Sequence, residues 1–241
     1  MTEAEWLTCA DPDKMIEFLL GRDSDRKKRL FAVACCRQVW DLLENESSRN
    51  ALEIAEKYAD GLVSKEDLRT AAKAAERVLS DPWPGRIRHR AVTPYTRRQA
   101  EQEAKYYAAR AAVEAAEPSR QRVDAASSAA TAMFWWGRGG GPVLLTWEED
   151  DTRRVECQSH ALRDILGNPF LSVSLDRTWL TPVVAALVMT IYQERRFERL
   201  PKLADALEDA GCDNADILSH LRGPGPHVRG CWVVDLLLGK Q

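Results

Sequence analysis

Long apolar runs are scarce in this sequence. The longest, such as residues 183–191, fall well short of the ~20 residues a membrane span needs. No membrane partner is therefore expected. A basic excess is also missing: 34 Lys and Arg stand against 37 Asp and Glu, for a net charge of −3. That balance removes any global attraction to nucleic acid or acidic lipid and leaves only local patches to consider. There is no Cys-x2-Cys knuckle, no GxxxxGK[ST] loop and no GxSxG, HExxH or kinase signature. No catalytic residue is assigned, no cofactor is expected, and the reading leans away from an enzyme. The opening MTEAEWLTCADPDK has neither a basic n-region nor an apolar h-region, so no secretory signal is expected and a reducing cytoplasm is the default location. Period-two alternation is almost absent, which argues against a sheet.

What is present reads as helix. Across 241 residues, 45% are hydrophobic and 29% charged, enough apolar material for one large domain or two small ones. Helix punctuation is dense. Asp11-Pro12 places a cap before a proline in the first turn, and Gly21 closes that segment. Leu30, Phe31, Val33, Ala34, Val39, Trp40 and Leu43 recur at three- and four-residue steps in the next. The run 25–29, DRKKR, is read as its solvated first turns. Ser47 or Ser48 is expected to open a third helix that ends at Gly61. Ser64 with Asp67 is read as a capping box for a fourth, running to about Ser80.

Pro82, Pro84, Gly85 and Pro94 interrupt the pattern. Alanine-rich segments 95–116 and 120–136 follow, parted by Pro118; their small side chains let helices approach closely. A helix from about Glu148 to Leu166 is expected to close on Gly167 in a left-handed cap. Residues 168–180 read as an extended crossing. Four more helical segments follow: Thr181–Arg195, Pro201–Gly211, Asp213–His220 and Val228–Leu238. The fold class is all-α, a bundle or irregular α solenoid of about eleven helices. The expected division is a lobe over 1–136, a glycine-rich connector over 137–147 and a second lobe over 148–241, with a single domain as the alternative.

Several stretches resemble a family of bacterial proteins that occurs as many paralogues. They are MTEAEWLTCADPDKMIEFL, DRKKRLFAVACCRQVW, LRDILGNPF and ADALEDAGCDNADILSHLRGPGPHVRGCWVVDLLLGK, the last being the most distinctive. Families of this kind often serve in recognition or conflict systems. The resemblance implies that association and places no catalytic residue on this chain.

Three constellations merit chemistry. Cys157 and His160 lie three apart on one helix, and His227 and Cys231 lie four apart near the start of the last; two such pairs can build a zinc site. Cys212 and His220 sit nearby in sequence. The competing reading makes the cysteines core filler, as adjacent Cys35 and Cys36 inside an apolar run suggest. Second, Arg86, Arg88, His89, Arg90, Arg97 and Arg98 gather beside Trp83 and Tyr95, a mixture suited to nucleic acid, with Arg26, Lys27, Lys28 and Arg29 as possible additions. The alternative is a solvated loop paired to carboxylates such as Glu101 and Glu103. Third, adjacent Trp135 and Trp136 cannot share one narrow helical stripe, so one is expected to face a partner, a second lobe or solvent. The turn Gly223–Pro226 presents His227 and Arg229 beside Trp232, either as a small recognition surface or only to set the angle between two packed helices. The leading expectation is a non-enzymatic helical module that binds a protein partner. Nucleic-acid binding through Arg86–Arg98 is the first alternative and a zinc-stabilised module the second.

Overall fold

The computed structural model describes residues 1–19, 24–80, 97–117, 123–138 and 147–240. Among them lie twelve α-helices and no strand. They are α1 Glu3–Thr8, α2 Pro12–Leu19, α3 Asp25–Arg37, α4 Glu46–Ala59, α5 Lys65–Ser80, α6 Arg97–Ala116, α7 Val123–Arg138, α8 Trp147–Leu166, α9 Pro182–Glu194, α10 Leu200–Asp209, α11 Ala215–Arg222 and α12 Trp232–Leu238. The all-α expectation is met.

Local chemistry accounts for most of the helix ends. Asp11 Oδ1 accepts from the backbone of Asp13 and Lys14 at the head of α2. Ser64 and Asp67 form the expected box: Ser64 Oγ accepts from Asp67 N, and Asp67 Oδ2 accepts from Ser64 N. A second box, Thr2 with Glu5, opens α1. At α4 the expectation needs correction. Asn45 is the cap, accepting from Ser47 N at 2.8 Å, and Ser48 is fully buried inside the helix. The last helix also starts later than its apolar pattern suggests, at Trp232 rather than Val228. Gly167 takes φ +67° as the left-handed residue after α8.

The chain divides into two units, with boundaries inside α3 and α8. One comprises residues 1–27 with 159–241, and the other residues 28–158. The lobes expected from sequence were drawn elsewhere, with residues 1–27 and 159–241 assigned to opposite ones.

In the unit of residues 28–158, α6 packs against α4, α5 and α7. Its face is almost all alanine: Ala100, Ala104, Ala108, Ala111, Ala112, Ala115 and Ala116 are buried, opposite buried Ala125, Ala126, Ala129, Ala130 and Ala132 of α7. Such small side chains allow short interaxial distances. The carboxylates caught in this core are hydrogen-bonded, whereas the buried Ser48 hydroxyl has no hydrogen-bond partner. Glu114 receives Ser128 Oγ at 2.6 Å and Arg110 Nε at 2.8 Å, and Glu56 takes a two-pronged contact from Arg37 at 2.7 and 3.1 Å. Arg29 is buried, donates to the Ala115 carbonyl at 2.8 Å and lies over the Tyr58 ring. Cys35 and Cys36 are core filler, as expected.

In the unit of residues 1–27 and 159–241, α9 to α12 enclose a core of Val184, Val188, Ile191, Leu200, Leu203, Leu207, Ile217, Leu221, Val233 and Val234. The N-terminal segment is tied to the end of α8 through Trp6. Its indole donates to the Gly167 carbonyl at 3.0 Å, and Arg163 donates to the Trp6 and Cys9 carbonyls. Among the described residues no helix is long and apolar enough to cross a membrane.

Candidate functional site

Two features converge in the unit of residues 1–27 and 159–241. The first is a groove of about 900 Å³. Trp6, Leu7 and Leu19 come to it from the N-terminal segment, Leu166 and Gly167 from the end of α8, Leu171 from the crossing that follows, and Trp232 and Leu236 from α12. Leu7 and Leu171 are 54% and 44% exposed, so the groove keeps apolar surface in water. Three of its cations are engaged within the protein, Lys240 lying over the Tyr192 ring at 4.9 Å. Lys27 Nζ contacts Asp235 Oδ2 at 2.8 Å and donates to the Ile165 and Gly230 carbonyls. Arg163 holds the N-terminal segment as described.

Asp235 is the buried anchor of this wall. Arg26 reaches it with two nitrogens at 2.6 and 2.9 Å and also donates to the Tyr192 hydroxyl. The sequence reading of Arg26, Lys27 and Arg29 as solvated first-turn residues is therefore corrected. A buried carboxylate draws in the first two, and a carbonyl with an aromatic face takes the third. None of the three stands as part of a phosphate-binding surface.

The second feature lies beside the groove. Asp164 of α8, His220 of α11, His227 of the turn and Cys231 at the start of α12 bring one donor atom each to within 4.8 Å of one another. His227 Nδ1 is 2.6 Å from Asp164 Oδ1; His220 Nε2 is 3.1 Å from that same oxygen and 3.2 Å from Cys231 Sγ. Val228 N–H holds the other carboxylate oxygen at 2.8 Å. Asp164 and Cys231 are buried, while His220 reaches the groove. Burial alone would push the Asp164 carboxyl up, but hydrogen bonds from His220 and His227 outweigh it and hold the group below its ordinary range. Burial likewise opposes charge on His227, and the Asp164 contact overcomes it and raises that imidazole. The Cys231 thiol is pushed well above its ordinary value, first by burial and then by the Asp164 charge.

This geometry differs from a Cys-His-Asp relay. A relay uses both ring nitrogens of one histidine, one toward the thiol and one toward the carboxylate. Here Asp164 and Cys231 face the same nitrogen of His220. A fully buried thiol with an elevated pKa is also a poor nucleophile.

No family model, curated protein or solved structure matches this chain.

The residues singled out from sequence fare unequally. His227 and Cys231 belong to the cluster, but Cys157 and His160 do not; Asp164 and His220 take their places. His160 is exposed on α8, and Cys212 is buried in the hydrophobic core. Trp232 lines the groove with its ring 5.2 Å from that of His220, and Arg229 lies over the Tyr192 ring at 4.4 Å. Arg97 and Arg98 stand exposed on the first turn of α6. Trp135 and Trp136 fall on the last turns of α7. Trp83, Arg86, Arg88 and Arg90 lie outside the described residues, so the basic-segment expectation falls there too. Asp164 was missed because no local pattern marks it. The spacing of His220, His227 and Cys231 around a Gly-Pro turn was the legible trace.

Proposed function

We propose that this chain is a non-enzymatic helical recognition module, and that its partner docks a short apolar segment into the groove lined by Leu7, Leu171 and Trp232. The observation that carries this reading is the chemistry of the groove walls. Lys27, Arg163 and Asp235 are already joined to groups of the protein itself, so the groove offers a ligand leucine and indole surface flanked by Glu3, Asp216 and Lys240. An apolar groove between helices suits a peptide better than an anionic metabolite. Nucleic-acid binding through the Arg86–Arg98 segment is the second reading; Arg26, Lys27 and Arg29 add nothing to it, being drawn into the interior of their units.

The test is a selection of displayed peptides on the full chain, followed by affinity measurements with Leu7→Asp and Leu171→Asp. Both positions are half exposed, so the variants should fold. Enriched peptides should carry apolar side chains at helical or alternating spacing. Each variant should weaken binding about tenfold, the loss of ~1.4 kcal/mol of apolar contact. Peptides that bind both variants as tightly as the original chain would place the docking surface elsewhere. Peptide binding that collapses with added salt would show ionic rather than apolar contact and count against this reading.

A further inference from the structure

The groove accounts for only one face of His220. Behind it, the other three members of the cluster have no role in peptide docking, and their arrangement is unusual for a hydrogen-bonded network. A carboxylate oxygen, a thiol sulfur and imidazole nitrogens crowd around one point. His220 Nε2 carries either a proton or a lone pair, yet it faces both Asp164 Oδ1 and Cys231 Sγ at hydrogen-bond distance. A proton on that nitrogen serves only one of them, and the Asp164 carboxylate also takes the Cys231 thiol, so the contacts of three side chains crowd onto one carboxylate. His227 Nε2 is buried without a hydrogen-bond partner. A nitrogen shared between two neighbours, beside a carboxylate and a thiol within 4.8 Å, is what a set of metal ligands looks like when described as a hydrogen-bond network.

We infer that Asp164, His220, His227 and Cys231 form a tetrahedral site for a borderline transition metal, Zn²⁺ first. The donor set decides the class of ion. One sulfur, two imidazole nitrogens and one carboxylate oxygen suit Zn²⁺, whereas Ca²⁺ and Mg²⁺ ask for six or more oxygens. The dimensions are compatible. Bonds of 2.0–2.3 Å imply donor separations of roughly 3.3–3.8 Å in a tetrahedral shell. The two His220 contacts, at 3.1 and 3.2 Å, are already close to that. The contact between His227 and Asp164, at 2.6 Å, must open by roughly 1 Å as their proton leaves and the ion enters. The Val228 N–H that holds the second Asp164 oxygen supplies an outer-shell contact that keeps the first one aimed inward. Four protein ligands close the shell, so the ion is structural. It ties the end of α8, α11, the Gly223–Pro226 turn and the start of α12, the elements that carry the inner wall of the groove. The site stands whether or not a peptide occupies the groove.

The experiment uses the full chain, expressed with zinc and purified without chelator. Elemental analysis should find about one equivalent of zinc per chain. After chelation and exchange, Co²⁺ alone should give the intense visible absorption of a tetrahedral ion and a thiolate-to-cobalt charge-transfer band. Cys231→Ser should abolish that band. Because Cys231 is buried, this variant can fail for want of folding, so His220→Gln at the more exposed edge is measured beside it; it should weaken Co²⁺ binding at least tenfold. Cys157→Ser should change nothing. Zinc below about a tenth of an equivalent with no Co²⁺ spectrum overturns the site, leaving the cluster a hydrogen-bonded staple. A charge-transfer band that survives Cys231→Ser and disappears in Cys157→Ser overturns it in favour of another ligand set. Loss of peptide binding in a chain that still holds its zinc would count against the groove alone.

Discussion

At the scale of single residues, the clearest constraint is Gly167. Its φ of +67° is strained for any L-residue, and a Cβ there would lie 3.0 Å from Trp232 Cγ. Gly239 has a similar φ of +64° but open space around the missing Cβ. Gly239→Ala should therefore cost only the backbone strain, about 1 kcal/mol, whereas Gly167→Ala should cost about 2–3 kcal/mol because the indole must move as well. Urea denaturation of both variants checks the difference; equal losses would show that Trp232 is free to give way. Asp235 is the second such residue. It is 2% exposed at the side chain, with Arg26 at 11% and Lys27 at 15%. Asp235→Asn keeps the shape but leaves two half-buried cations without their counter-charge, and it should cost about 3–5 kcal/mol in the same assay. Asp205, which pairs with Arg222 in the open, should tolerate the same change with no measurable shift of midpoint.

At the scale of elements, α6 shows how composition sets packing. An alanine face has little shape of its own, so its specificity comes from close approach rather than from interlocking side chains. Ala108 is fully buried on that face. Ala108→Leu should force α6 from its neighbours and destabilise the unit of residues 28–158 by about 1–3 kcal/mol, read as a fall in thermal midpoint. Most helix starts were legible because capping is local. Asp11, Ser64 and Thr181 each accept from backbone N–H groups within three residues. The start of α4 was misplaced for an equally local reason: Asn45, Ser47 and Ser48 all cap well in principle, and burial of Ser48 decides among them. The start of α12 was misplaced because Val228 continues the apolar pattern, while Gly230 takes φ +98°, which no α-helix can contain.

At the scale of the whole molecule, the metal site and the two units make one joint expectation. Chelation should lower hydrogen-exchange protection in the end of α8, in α11 and in α12. The α4, α5 and α6 helices belong to the other unit and should keep theirs. Mass spectrometry of exchanged peptides from zinc-loaded and chelated chain reads this directly. A uniform loss across both units would mean that the ion supports the entire fold instead of one part of it.

Helical identity, most helix ends and the left-handed Gly167 all follow from the order of residues alone. Each depends on neighbours within about one turn, where backbone sterics and a repeat of 3.6 residues leave a direct imprint. Other features wait on the folded chain. The first 27 residues join 159–241 in one unit, Arg26 reaches Asp235 across 209 positions, and Asp164 meets His220, His227 and Cys231. These pairings are chosen by which apolar faces cover one another. A carboxylate far away in the chain carries no local mark of the cations or imidazoles it will meet.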